Sequence, residues 1–469
     1  MRLLPMLLLA SAAFAGEPFG IQVVDENTSR GVPMVTLETV NGIRLVTDSG
    51  GWAAFDEPGL MKQRVHFTVS TPGYTFPKDS FGVAGLMVEA KAGGTVDLRL
   101  VRTNLAERMY RITGQGIYRD STLLRKESPL PLPNLAGGVL AQSDVQMAVF
   151  QGKCFWLWGS TQRAAHPIGN LRGAGATSDL TATGGLDPTQ GIHFNYFVDD
   201  RGDTMPMLAG KEPGSVRLDG LVSVKDSAGV EHLIVHYQRE DQGKRVEHGI
   251  AEIGAEHQFE RITVLGEDYT WQFPQGHAVR VTDEKDKVER FYFATPFAHV
   301  RVPATYEAMT SPGSYEALAW DDSKGAVVWQ QLQPPMTKAD EDRYITKKMI
   351  TEKEERMQLS SAGAELTPCS GSIRWNAFLK QWIMIFSTED SAIWLARSPA
   401  VDGPWHKAVQ LATHEGHKAD AVVQFDVFDQ EQGKVIYFQT TISAGGLKTP
   451  RYDGNAMMYR VDLSDPRLK

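Results

Sequence analysis

The chain has 469 residues, with 48 Lys and Arg against 57 Asp and Glu, for a net formal charge of −9. That balance excludes the broadly basic surface that a nucleic-acid backbone or an anionic membrane attracts. At 42% hydrophobic and 22% charged residues the composition is that of a folded chain rather than a disordered one, and the length asks for more than one core. The 44 glycines and 24 prolines, many of them between short aromatic runs, favour strands joined by turns, so the expected class is all-β.

In chain order, residues 1–15 read as an export signal. Met1 and Arg2 carry the charge, Leu3 to Leu9 is apolar apart from Pro5, and Ala13-Phe14-Ala15 fits a small-x-small cleavage site. The expected location is periplasmic or secreted. No later run approaches the ~18 apolar residues of a membrane span, so none is expected after signal cleavage. Two cysteines, Cys154 and Cys369, are too few for a disulfide scaffold; a single pair or two free thiols both fit.

Residues 17–102 alternate apolar and polar positions in short bursts such as FGIQVVD, GVPMVTLETV and RVHFTVS. This period of two over strand-length runs predicts a small β-sandwich. Residues 103–143, with GIYRDS and then SPLPLPNL, read as a connecting segment, since proline fixes an extended path and blocks helix. Arg119 and Asp120 within it suit a site, a turn or an interdomain salt bridge, the last two being the plainer readings.

From residue 144 a pattern repeats: an apolar strand, a polar turn, an aromatic-rich strand. The copies are VQMAVFQGKCFWLWG, GLVSVKDSAGVEHLIVHY, AVRVTDEKDKVERFYFA, SIRWNAFLKQWIMIFS and VVQFDVFDQEQGKVIYFQ. Each is trailed by further strand-like runs, and units of this kind, unable to bury both faces alone, stack radially; a five-bladed β-propeller over 144–469 is predicted. YEALAWDDSKGAVVW would be a sixth hairpin, making six blades, or the outer part of the third unit. Residues 337–359 are charge-rich with apolar positions at helical spacing and predict an inserted surface helix.

In such a ring the first strand of every blade starts near the central funnel, so polar residues at those starts converge although distant in sequence. They are Asp144, Asp219, His277, Ser370, and Asp420 or Gln424. Turns between second and third strands add Ser160, Thr161 and Arg163, then Glu247 and His248, then Glu389 and Asp390. Paired carboxylates suit cleavage of a glycosidic bond, one activating water and the other protonating the leaving oxygen. Asp144 is the expected base, Asp219 its orienting or pKa-tuning partner and Glu247 the candidate acid. His248, His277, Trp271, Arg163, Thr161 and Glu389 are the expected substrate contacts, with Trp271 as the platform for the apolar face of a sugar. No cofactor is expected; a divalent ion, if bound, would draw on His414, His417 and Asp420, with His248 and His277 facing the same funnel. No phosphate loop, G-x-S-x-G elbow or Cys–His pair is present.

Two resemblances sharpen this reading. TDSGGWAAFDEPG and STPGY resemble the carboxypeptidase-regulatory-like, transthyretin-like module, which implies an accessory β-sandwich without catalytic residues. SDVQMAVFQGKCFWLWGSTQR followed by GATSDL resembles the opening blade of glycosidase-type five-bladed propellers, the family-43 arabinanases and xylosidases. That resemblance implies the catalytic base at Asp144 and the pKa modulator at Asp219. The chain departs from it at Gly159-Ser160-Thr161, where WGDT is usual, and at Ala392, where a Glu precedes the Trp; no carboxylate maps onto the family's general acid. TVNGIRLVTDSGGWAAFDEPG, NLAERMYRITGQGIYRDS, VEHGIAEI and PRYDGNAMMYRVDL further liken the chain to exported proteins that join the two modules. The expected function is that of a secreted carbohydrate-active protein hydrolysing a polysaccharide or oligosaccharide. A non-catalytic glycan-binding propeller and a polysaccharide lyase, the latter with His277 and Arg163, are the alternatives.

Overall fold

The computed structural model describes residues 16–170, 173–208, 210, 212–266, 276–443 and 454–468. The expected export signal, 1–15, and Trp271 lie outside them. The described chain is predominantly strand, and no helix among the described residues is long and apolar enough to cross a membrane. It divides into two compact units.

The first unit comprises residues 16–71, 75–101 and 119–127. One of its sheets sets Phe19–Asp25 between Trp52–Phe55, antiparallel, and Thr95–Arg102, parallel; the other orders Arg44–Val46, Thr36–Thr39, Arg64–Ser70 and Gly85–Glu89. Arg64–Ser70 buries alternate residues, the period the sequence carries. Phe55 of one sheet and Phe67 of the other lie 5.7 Å apart, so the two sheets share a core. A short helix, Arg119–Leu123, belongs to this unit, and its Ser121 amide donates to the buried Asp48 carboxylate at 2.6 Å. Arg119 pairs with Asp120 at 2.6 Å.

Among the described residues the second unit holds five antiparallel sheets of four or five strands, each opened by one of the predicted hairpins, and a two-stranded ribbon of Leu359–Ser361 with Ala364–Leu366. The first strands of the five sheets are Val139–Phe150, Ser215–Lys225, His277–Thr282, Pro368–Asn376 and Lys418–Gln424. Each first strand touches the next, and the fifth touches the first, so the contacts close on themselves. The stretch at 315 supplies the fourth and fifth strands of the third sheet, Glu316–Asp321 and Ala326–Gln331. Within 337–359 runs one nine-residue helix, Lys338–Thr346, started by a capping box between Thr337 and Asp340. Its buried Glu341 accepts the amides of Arg356 (2.6 Å) and Met357 (3.1 Å).

The connecting segment departs from its expected role. Glu107–Arg111 is a strand that pairs with Asn455–Asp462 and completes the fifth sheet, so a strand from the start of this unit joins strands from its end. All five residues of ERMYR are buried, which leaves no apolar–polar alternation for a sequence reading to detect.

The second strand of the first sheet shows how the sheets pack. In FWLW, Phe155 and Leu157 point to a core shared with the second sheet, while Trp156 and Trp158 point to one shared with the fifth. A strand covered on both faces reads as a continuous apolar run. Trp156 is fully buried, donates its indole N–H to Ser178 at 2.8 Å, and meets Phe425 edge-on at 5.0 Å. The seam between fourth and fifth sheets is more polar: the Gln424 amide donates to Ser372 (2.8 Å) and the Asn376 side chain to the Gly433 carbonyl (2.7 Å).

Trp156→Ala is expected to cost about 3–5 kcal/mol, the usual range for emptying a core aromatic site; urea unfolding should show it as a lower midpoint with both units still present at zero denaturant. A second prediction concerns His232, whose ring bonds Glu252 (2.5 Å) and Asp226 (3.4 Å) and packs on Tyr306 at 4.1 Å between centroids. Burial alone would lower its pKa, but the two carboxylates outweigh this and raise it. The resulting stabilisation is full below the unfolded histidine pKa and is lost as pH rises through the folded one. The melting-temperature gap between the wild type and His232→Gln should therefore be widest near pH 5.5 and narrow toward pH 9.

Candidate functional site: an acidic rim on the first strands

Three of the first strands carry an aspartate at a break in the ladder. Asp144 itself has φ +55°, and the residue after Asp219, Gly220, has φ +62°; after Asp420, Ala421 has φ +52°. The second strand of the first sheet makes room for Asp144 with Gly159, where a Cβ would come within 3.0 Å of the Asp144 Cβ. In the second and fifth sheets the register jumps from Asp219 to Val222 and from Asp420 to Val423. A bulge of this kind re-aims a side chain that regular pleating would send into a neighbouring sheet, and left-handed backbone at non-glycine residues is held only where the surroundings impose it.

The three carboxylates sit in different environments. Asp144 is exposed, with the Ser143 hydroxyl donating to it at 3.2 Å. Asp219 is 3% exposed. Its Oδ1 accepts from the Gln146 side chain of the first sheet (2.9 Å), from the Gly220 amide (2.8 Å) and from the Gly276 amide that leads into the third sheet (2.9 Å). Burial pushes the Asp219 pKa up to about 7, opposed by Arg217 and the two amides and assisted by the negative charge of Asp144. Asp420 accepts from the Ser370 hydroxyl at 2.6 Å and from the Ala421 amide at 2.7 Å, which ties the starts of the fourth and fifth first strands together.

Behind Asp219, and cross-strand from it, lies fully buried His236. Its Nε2 is 2.7 Å from the Tyr315 hydroxyl, whose own proton goes to the Met309 carbonyl at 2.9 Å, so Nε2 carries the ring hydrogen. Burial pushes the His236 pKa down to about 3 and keeps the ring neutral. Sequence reasoning passed over this residue; the signal was a lone polar position inside LIVHY.

Other expected contacts are placed elsewhere. Glu247 accepts from Tyr237 (2.6 Å), Arg261 (2.8 Å) and Arg239 (3.2 Å). Burial would raise its pKa, but these partners together hold it below the usual carboxylate range. A general acid needs a raised pKa, so the geometry withdraws Glu247 from that role. His248, next on the strand, is buried. Thr161 is fully buried and accepts from Gln142 at 3.2 Å, while Tyr196 donates to the other end of Gln142 at 2.9 Å; the threonine braces the first sheet. Arg163 is buried toward Asp203 and Asp199, and burial lowers its pKa.

His277 does start the third first strand, half-buried, and burial together with nearby Arg374 pushes its pKa down to about 3. Its cationic neighbour is thus Arg374 rather than the Arg163 that the lyase alternative needs. Glu389 is exposed on the turn after Gln381–Thr388. Burial, then the charges of Asp420, Glu389 and Asp390, raise the pKa of the exposed Cys369 thiol. Cys154 is buried in the first sheet's core, and both thiols are free. The imagined metal set is not assembled: His414 bonds the Ser391 carbonyl (2.9 Å) and the Tyr459 hydroxyl (2.7 Å), which occupies both ring nitrogens. Among the described residues no three His, Cys, Asp or Glu side chains are grouped to hold a metal ion.

A scan against protein-family models finds no match, and a search of curated proteins finds none. Among solved structures, the chain is similar to a GH43 β-xylosidase/α-arabinofuranosidase from a compost microbial metagenome, at 10% identity over 69% of this chain and 92% of that one, with a TM-score of 0.36. It is similar to a GH43_1 enzyme from Xanthomonas citri at 11% identity over 69% and 88%, TM-score 0.36. A glycosyl hydrolase from Bacteroides ovatus gives 9% identity over 77% and 95%, TM-score 0.38. These likenesses are distant, and the functional reading rests on the side chains.

Because the folded Asp219 pKa lies near 7 and the unfolded one near ~4, the wild type loses stability as pH rises between those values. Asp219→Asn keeps a neutral acceptor toward Gln146, Gly220 and Gly276 and has no such loss. Its melting temperature should exceed that of the wild type at pH 8 by ~3 °C or more and lose that advantage at pH 4.5; an equal gap at both pH values would contradict the assignment.

Proposed function

We propose that the five sheets form a five-bladed β-propeller and that the protein is an exported, glycoside hydrolase-like protein acting on a polysaccharide at the acidic rim. The observation that carries this reading is the pairing of an exposed carboxylate, Asp144, with a buried one, Asp219, whose pKa its neighbour helps to raise. Two carboxyl groups whose environments push their proton affinities apart are what acid–base cleavage of a glycosidic bond requires. Asp144, open to solvent, is the base that activates water. Asp219, locked by Gln146, Gly220 and Gly276, feels the charge of Asp144 and holds a proton near neutral pH. Asp420, held by Ser370, offers a third carboxylate for substrate hydroxyls.

A second reading is a propeller that binds glycans without cleaving them. The ion pairs of Glu247 favour it, because they remove the proton donor that the sequence nominated.

The test is incubation with a panel of neutral and uronic-acid polysaccharides, reading reducing ends and the absorbance of unsaturated sugars. Hydrolysis predicts reducing ends without unsaturated products and a loss of ~10²–10⁴-fold in Asp144→Asn, the span that general-base catalysis supplies. Activity unchanged in that variant would reject Asp144 as the base. Retention of a polymer by the wild type without any cleavage would select the binding reading.

A further inference from the structure

Two to seven residues beyond the three aspartates, the first strands and the segment after the fifth line a different space. Met147 to Val149, Leu221 to Ser223, Ala278 to Arg280, and Arg374 with Trp375 contribute from four sheets, and Asp426 with Val427 follows the fifth first strand; together they enclose about 420 Å³. At ~3.3 Å per extended residue this is ~7–23 Å along the chain from Asp144, Asp219 and Asp420. It shares Arg280, Trp375 and Trp382 with a larger cleft of about 960 Å³ between the third and fourth sheets.

Trp375 is the unusual element. It is 48% exposed, and its ring stands 5.5 Å from that of Trp382 at 67°, while Trp382 packs against the core behind. A tryptophan on a strand between two sheets has core available to it, so leaving half of its surface in water inside a concave space sets out an apolar face for a ligand.

The charges say which ligand. The larger cleft is lined by Arg280, Lys285, Arg301 and Arg356 and, in equal number, by Asp283, Glu284, Asp286 and Asp402. Its guanidiniums are already paired: Arg280 with Glu289 (2.6 Å), Arg301 with Glu316 (2.6 Å) and Arg356 with Asp402 (3.0 Å). At these arginines an anionic ligand would have to displace the carboxylates, and a cationic one the arginines, which leaves only Lys285 and Glu284 on the lining outside the ion pairs of the described residues. A neutral, polyhydroxylated ligand needs neither, since each ion pair has both spare donors and spare acceptors for hydroxyl groups, and the C–H face of a sugar ring packs on an indole.

We propose that this cleft is a second saccharide site, separate from the acidic rim, which holds a neutral glycan chain with Trp375 as its platform. It takes up polymer whether or not the rim hydrolyses it.

Affinity electrophoresis in gels containing a neutral polysaccharide (xylan, arabinan, mannan or β-glucan in turn) or polygalacturonate tests this on the full chain. At least one neutral polymer should retard the wild type. Trp375→Ala should weaken that retardation by about 10-fold in Kd, the scale of one aromatic platform, with an unchanged circular dichroism spectrum. Trp375→Phe, which keeps a ring, should lie between the two and serves if the alanine variant does not fold. Asp144→Asn should be retarded like the wild type. Retardation that survives in both Trp375 variants but is lost in Asp144→Asn would place all glycan binding at the rim and overturn the second site. Retardation by polygalacturonate alone, or by no polymer, would overturn it equally, while cleavage lost only in Asp144→Asn would leave the rim reading standing.

Discussion

The Asp219 carboxyl is the constraint on which the candidate site depends. One buried oxygen collects a side-chain amide from the first sheet, a backbone amide from its own bulge, and a backbone amide at the entrance to the third sheet. A buried carboxylate left unpaired would cost several kcal/mol, so a position that takes three donors and still favours the proton holds its surroundings in one arrangement. The residues that supply those donors belong to the first and second of the first strands and to the residue that leads into the third, so one oxygen ties three successive first strands. Removing the acceptor oxygen, as asparagine would not, would therefore loosen three first strands together.

Much of the second unit is legible in the amino-acid order because each hairpin is buried on both faces. FWLW, FYF, IMIF and VIYF are continuous apolar runs and LIVHY is broken only by His236, and the polar turns between them mark where the chain reverses. Asp144, Asp219, His277 and Ser370 were readable from their place at the head of those runs, and the structure finds them on four separate first strands. The signal was positional: an acid, an imidazole or a hydroxyl at the head of an apolar run.

What escaped that reading depends on contacts distant in sequence. Glu107–Arg111 completes the fifth sheet through Met457 to Arg460, more than three hundred residues away, and carries no periodicity of its own. Glu247 looks like a free acid in VEHG, yet Arg239 faces it across the ladder and Arg261 reaches it from the next strand. Whether a carboxylate is free to carry a proton is decided by such neighbours rather than by its own motif. The same holds for Trp375 and Trp382, which read alike as strand aromatics; only the packing leaves one of them half in solvent.

The most direct measurement is the titration of individual aspartate carboxyl groups by ¹³C NMR in protein labelled at Asp, with assignments made by single Asp→Asn substitutions. The account requires one rim carboxyl, Asp219, to titrate near pH 7, and to titrate lower once Asp144 is replaced by Asn, since the neighbouring negative charge is then gone. A resonance for Asp219 that titrates near pH 4, or one that is indifferent to Asp144, would mean that the two carboxyl groups do not share a site, and the functional reading would fall with it.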